Sequence, residues 1–325
     1  VAVADRRYGQ PVDYLISHGW FDAVLYVDGK EQKPLKWTQT LDTKNAFSEN
    51  SVEYPDAVVK TVAFVPATRK MLVVKKTVVP KSAAKVKFDF KYTFAPSMPA
   101  KPRDRAVTTG AFAGENCARF VYKLYGLDVY RGEISITSTA PAKVSFLENN
   151  DVALLESEAA STPEKPFESV YYMTYEDDYD GSLKPRKNID YTAASAAARK
   201  SALADGFDKI FAEHKAEWGK YWDGVSVSIP DEKLERTYYT ALYHMKCITT
   251  RWGFPVGIFA GSHFGGAYFG WDETFCMLAL ASTGKFDISR VSVDFRKTVL
   301  PIAMNRVGKY CKAKRITVGA RYTWQ

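Results

Sequence analysis

Histidine and cysteine are scarce, at four residues each in 325. The cysteines, Cys117, Cys247, Cys276 and Cys311, stand far apart without a Cys-x-x-Cys spacing, so neither a zinc site nor dithiol chemistry is indicated. Three of them fall in apolar helical patterns and read as small core residues. Cys117 in "GENCARF" has no histidine near it in sequence, which leaves a nucleophile unsupported. No apolar run is long enough to span a bilayer. There is no G-x-G-x-x-G or P-loop sequence, and the acidic "EDDYDGS" (176–182) lacks the spacing and final glutamate of an EF-hand loop. Neither metal nor cofactor is expected.

Charge of one sign is not concentrated either. The formal net charge is +8, from 45 basic and 37 acidic residues, but the lysines are scattered. The nearest cluster, Lys309, Lys312, Lys314 and Arg315, suits a solvated helix end better than a phosphate track. Aromatics and lysines do not interleave on one stripe, which argues against nucleic acid. The chain begins with Val1 rather than Met, which fits a mature protein freed of its signal peptide and equally a trimmed sequence. An extracytoplasmic location is the expectation, with a cytoplasmic one as alternative.

What is present divides in order. Residues 1–190 read as β-structure: "DAVVKTVAFVP" and "KMLVVKKTVVP" are β-branched runs ended by proline, and "AKVKFDFKYTF" alternates with period two. "GEISITST", "AKVSFLE" and "SVYYMTY" continue the pattern. Many strands without intervening helices predict an antiparallel β-sandwich domain. From about Ala193 the character changes. In "AASAAARKSALADGFDKIFAEHKAEWGKYW" an apolar stripe runs through Leu203, Phe207, Ile210, His214, Trp218 and Tyr221, with His214 read as a packed core residue. That helix and the extended "GVSVSIP" form a linker over 191–229. A second helix opens at Pro230 with Asp231 and Glu232 in its first turn, and Leu234, Tyr238, Ala241, Met245 and Ile248 are its expected buried face.

The glycine- and aromatic-rich "RWGFPVGIFAGSHFGGAYFG" is a long loop, a type that usually carries function. It leads into "WDETFCMLALAST", an apolar helix start. Further on, Pro301 is expected to break or kink "DISRVSVDFRKTVL" before "IAMNRVGKYCKAK". Flat aromatic faces beside the Asp272–Glu273 pair suit a sugar, since an indole covers the C–H face of a sugar ring and a carboxylate accepts from adjacent hydroxyls. A capped, buried helix start is the structural alternative.

Together, "YPDAVVKTVAFVPATRKMLVVKKTVV", "GGAYFGWDETFCML" and "LPIAMNRVGKYCKAKRITVGARYTWQ" resemble the six-hairpin glycosidases, and most of all glycoside hydrolase family 65, which holds acid trehalases and maltose, trehalose and kojibiose phosphorylases. The sequence departs from the family loop at Ala267, where a histidine is usual, and at the inserted Gly270. Asp-Glu-Thr followed by Phe275 is similar to a family 63 motif, and "YYTALYH" (238–244) to one of family 92.

The resemblance implies an N-terminal sandwich, a linker helix and, over 230–325, the first part of an (α/α)6 barrel. It implies Trp271, Asp272 and Glu273 as substrate-binding residues, with Tyr322 and Trp324 from a second pocket loop. Glu273 is expected to meet the dipole of its helix N-terminus. The family's general acid, a glutamate, is expected beyond Gln325. A full ring needs twelve helices, on the order of 300 residues, so the remaining helices, on the same or a second chain, are an expected partner. The implied function is an inverting α-glycosidase acting as an α-glucoside hydrolase. A disaccharide phosphorylase and a non-catalytic carbohydrate-binding or assembly protein are the alternatives.

Overall fold

The computed structural model describes residues 2–4, 13–15, 17–97, 106–124, 131–147, 150–178, 189–249, 253–254 and 270–311. A short pair, β1 (Ala2–Ala4) and β2 (Asp13–Leu15), opens the chain. Then come β3 (Ser17–Val27), β4 (Lys30–Glu31), β5 (Lys36–Asp42), β6 (Phe47–Glu53), β7 (Ala57–Phe64) and β8 (Met71–Pro80). They are followed by β9 (Ala84–Ser97), β10 (Ala106–Gly114), β11 (Cys117–Leu124), β12 (Arg131–Ser138), β13 (Lys143–Leu147), β14 (Val152–Ser161) and β15 (Phe167–Asp177). Four helices follow among the described residues: α1 (Tyr191–Trp222), α2 (Glu232–Ile248), α3 (Gly270–Ser282) and α4 (Phe286–Cys311).

The strands form two antiparallel sheets, ordered β10-β11-β12-β15-β8-β7-β6-β5 and β13-β14-β9-β3-β4. Their facing sides make a β-sandwich. The period-two run of β9 sends Phe88, Phe90, Tyr92 and Phe94 inward, where they meet Phe120, Ile134 and Tyr171 of the larger sheet. Phe90 stacks on Tyr171 with centroids 3.8 Å apart, and such pairs add roughly 0.5–1.5 kcal/mol to the burial itself.

The outer face of the larger sheet is covered at its middle strands, β12, β15, β8 and β7, by α1. Although its residues alternate apolar and polar, β12 is buried on both sides. Ile134 and Ile136 point into the sandwich, while Glu133, fully buried, accepts from Arg199 of α1 at 2.7 Å and from Arg119 of β11 at 3.2 Å. Burying a lone carboxylate would cost several kcal/mol, so this pairing is what lets a polar strand face lie under a helix. Farther along, Phe207, Ile210 and Phe211 of α1 pack on Phe64, Val73 and Tyr172. Arg69, just before β8, reaches Asp205 at 2.7 Å and Glu213 at 2.6 Å.

The apolar stripe of α1 needs one correction. Ile210, His214, Trp218 and Tyr221 are buried and Phe207 is packed, but Leu203 is exposed and Ala202 is buried in its place. The cause is Gly206, whose φ of 71° and ψ of 171° interrupt the helix and offset the phase of the residues before it. His214 is a core residue whose Nε2 lies 3.1 Å from the Ala46 carbonyl, and burial lowers its pKa.

On α2, Asp231 is the N-cap, accepting from the backbone N–H groups of Lys233 and Leu234. Tyr238, Met245 and Ile248 pack inward as expected, whereas Leu234 and Ala241 are exposed and Leu242 is the buried centre of the face. Helix α4 is not broken at Pro301 but runs through it. Proline there removes one N–H bond, and because Pro301 is exposed, solvent can satisfy the freed carbonyl.

Candidate functional site

The acidic pair lies at the start of α3, in an antiparallel hairpin with α4. Its turn is set locally. Gly284, at φ 77°, lets its own N–H reach the Ala281 carbonyl at 3.0 Å and the Lys285 N–H reach Leu280 at 2.8 Å, the Schellman pattern. Ser289 Oγ then donates to the Met277 carbonyl at 3.0 Å, tying the two helices. Leu280, Leu242, Phe254 and Val225 form the small core that seats the hairpin against α2.

Within this frame the carboxylate of Glu273 turns inward. Its side chain is 2% exposed, and Oε2 accepts from Arg296 of α4 through Nε at 3.1 Å and Nη2 at 2.5 Å. Oε1 lies against the Gly253–Phe254 segment: a Cβ added to Gly253 would sit 2.6 Å from Oε1 and 2.6 Å from Ser292 Oγ. Gly253 has φ of 132°, a region that side chains disfavour, so both conformation and space require glycine. Burial raises the Glu273 pKa, and Arg296 opposes the rise by favouring the charged form. The Ser292 hydroxyl and Phe254 backbone act in the same sense as Arg296, yet Oε1 closes no geometrically complete hydrogen bond.

The five expected sugar-binding residues are therefore distributed as follows. Trp271, Asp272 and Glu273 occupy the first turn of α3. The side chains of Trp271 and Asp272, and the whole of Tyr322 and Trp324, lie outside the described residues. Most of the glycine-rich loop before α3 also lies outside them, as do residues 179–182 of the acidic turn and 312–315 of the basic cluster. Arg296, Ser292 and Gly253 were missed by sequence reasoning. The one available signal was an arginine within the apolar pattern of "DISRVSVDFRKTVL".

Elsewhere, an open groove of about 820 Å³ separates the end of the larger sheet from α1 and α2. Phe47, Phe64, Trp218, Tyr243 and Lys246 line it, and Glu273 does not. Among the described residues no group of three or more His, Cys, Asp or Glu side chains could hold a metal ion. No described helix is long and apolar enough to cross a membrane.

No protein-family model matches the chain. In sequence it is similar to a nigerose phosphorylase of Lachnoclostridium phytofermentans, at 26% identity over 142 residues, covering 42% of this chain and 18% of that protein. In structure it is similar to a protein described as a kojibiose phosphorylase from the human microbiome. That match has a TM-score of 0.72 and 12% identity, over 95% of this chain and 43% of the other. A bacterial glucoamylase complexed with acarbose matches with a TM-score of 0.54 and 12% identity, over 87% and 45%. The chain thus spans less than half the length of each of these relatives. The two-sheet β-sandwich followed by helices is thus a fold that this chain shares with these two solved structures.

Proposed function

We propose that this chain is the sugar-gripping part of an inverting enzyme that cleaves an α-glucosidic bond. Trp271 covers the apolar face of the terminal sugar, and Asp272 accepts hydrogen bonds from adjacent hydroxyls. A charged acceptor makes such bonds about twice as strong as neutral ones. Tyr322 and Trp324 complete the pocket wall. The general acid is proposed on the part of the fold that this chain, covering 43% of the kojibiose phosphorylase's length, does not span. An inverting mechanism needs that acid on one side of the bond and, on the other, an activated water or a phosphate. Adjacent carboxylates such as Asp272 and Glu273 cannot face each other across a glycosidic bond, and Glu273 is already held by Arg296. The observation that carries the reading is the kojibiose-phosphorylase-like fold together with the Trp-Asp-Glu turn at the start of α3.

The remaining helices of an (α/α)6 barrel are proposed as the structural partner. Phe286, Val293, Leu300 and Met304 of α4 follow one another along a single helical stripe and are exposed, as is Leu278 on α3. Covering that stripe is what a neighbouring hairpin would do. On this reading residues 1–190 are the sandwich domain, 191–229 the linker and 230–325 the start of the barrel.

Hydrolysis is the expectation from the sequence. Phosphorolysis is a second reading, favoured by the sequence match to nigerose phosphorylase. Incubating the intact protein with kojibiose, nigerose, maltose and trehalose, with and without phosphate, separates them. Strict phosphate dependence selects phosphorolysis, and cleavage without phosphate selects hydrolysis. No cleavage of any α-glucoside under either condition would leave a non-catalytic carbohydrate-binding role and overturn the enzyme reading.

A further inference from the structure

We infer that Glu273 is a positioning residue, whose buried carboxylate locks both ends of the glycine-rich connection and so fixes the turn that carries Trp271 and Asp272. The inference rests on the sugar-grip reading of those two residues.

The connection between Phe254 and Gly270 leaves the small core at Gly253–Phe254 and returns at the first turn of α3. Both ends meet at one group. The outgoing end presses the Gly253 backbone against Glu273 Oε1, with room for no side chain between them. The returning end is Glu273 itself, one residue past Asp272 in the same helical turn. From the other side α4 contributes Arg296, whose Nε and Nη2 both reach Oε2, and Ser292, which is 1% exposed and also faces Gly253. Three chain segments are thus referred to a single carboxylate.

Phe254 adds to the lock, since its side chain is 1% exposed among Leu242, Leu280 and Val225. A guanidinium that reaches one oxygen with two nitrogens fixes direction as well as distance, which a lysine cannot reproduce. With its carboxylate spent inside the protein, Glu273 acts on a sugar through its neighbours rather than by contact. A displacement of an ångström in a ligand-holding turn costs on the order of a hundredfold in the step that it supports.

The test is D-glucose affinity, measured by calorimetry on the intact protein below the melting temperature of each variant. Asp272→Asn and Trp271→Ala probe the grip. Glu273→Gln, Arg296→Lys and Gly253→Ala probe the lock. Gly253→Ala retains every charge and pushes only on Oε1, while Arg296→Lys retains the charge and loses the two-nitrogen geometry, so the set does not depend on one variant folding. The lock predicts at least a tenfold loss of affinity in all three. It also predicts that Glu273→Gln combined with Arg296→Lys loses little more than either alone. Wild-type affinity in Arg296→Lys and Gly253→Ala, with binding abolished in Glu273→Gln, would make Glu273 a direct sugar ligand and overturn the inference. Wild-type affinity in all three, with lowered melting temperatures alone, would reduce the cluster to structure and also overturn it. Should Asp272→Asn and Trp271→Ala bind glucose like the wild type, the grip reading itself fails, a result distinct from failure of the lock.

Discussion

The sandwich and the α3–α4 hairpin bury apolar surface to different degrees. In the sandwich, the middle strands of the larger sheet are covered on both faces, by the smaller sheet on one side and α1 on the other, while Trp37 on the edge strand β5 is exposed. The hairpin packs through a small core and through Phe295 of α4, which joins the sandwich core, yet it leaves Leu278, Val293 and Met304 more than half exposed. A sheet whose polar strand face is neutralised by Arg199 and Arg119 behaves as a finished unit. A hairpin with an apolar stripe turned to water is where the proposed barrel would continue. The same contrast separates the charge pairs, because Glu133 fastens one layer to another while Glu273 fastens a turn that leads toward the proposed sugar pocket.

The largest effects should come from breaking the finished unit. Phe120→Ala removes a fully buried ring that meets Phe94, Tyr92 and Phe146, and should cost about 3–5 kcal/mol in a denaturant titration. Replacing Arg199 by Met leaves Glu133 with Arg119 alone and should cost about 2–3 kcal/mol, below the full cost of orphaning a buried charge. The unfinished side gives a smaller and more diagnostic result. Leu278→Asp should change the stability of these 325 residues alone by no more than about 0.5 kcal/mol, as at other exposed positions. In the intact protein the same substitution should cost about 2 kcal/mol or more if another hairpin covers the stripe. Equal small effects in both would remove the contrast.

Legibility in the sequence follows the same division. β7, β8, β9, β12, β13 and β15 were readable because β-branched runs or strict alternation mark them. β5, with "KWTQTLD", and β10, with "AVTTGAFAG", carry little of either signal and are held by their neighbours' backbone ladders. The strand β12 is legible, but the burial of its polar side is not, because nothing local announces that Arg199, 66 residues later, will cover Glu133. At the site, the Trp271–Asp272–Glu273 turn was legible as a motif, but the direction of Glu273 was not. It depends on Arg296, 23 residues away on another helix, and on the close approach of Gly253.

A weaker handle on the comparison is pH. His214 lies on the buried face of α1 among Phe64, Phe211 and Trp218, and its pKa is held below the ordinary 6.5 by burial. The unfolded chain therefore takes up a proton below pH 6.5 that the folded chain resists, and stability falls as the pH drops through that value. His214→Gln should flatten this part of a melting-temperature profile between pH 7 and pH 5. The smallest effect belongs to Asp205, whose pKa is lowered to about 2 by Lys209 and Arg69. Its contribution is present above the ordinary 3.8 and is lost as the pH falls toward 2, so Asp205→Asn should alter only the acid end of the same profile.

The central claim is that the first turn of α3 grips a sugar. Calorimetric titration of the intact protein with D-glucose, wild type against Asp272→Asn, tests it most directly. The account predicts saturable binding by the wild type and at least a tenfold loss in the variant at unchanged melting temperature. Equal affinity in the two proteins, or no binding by either, would contradict it.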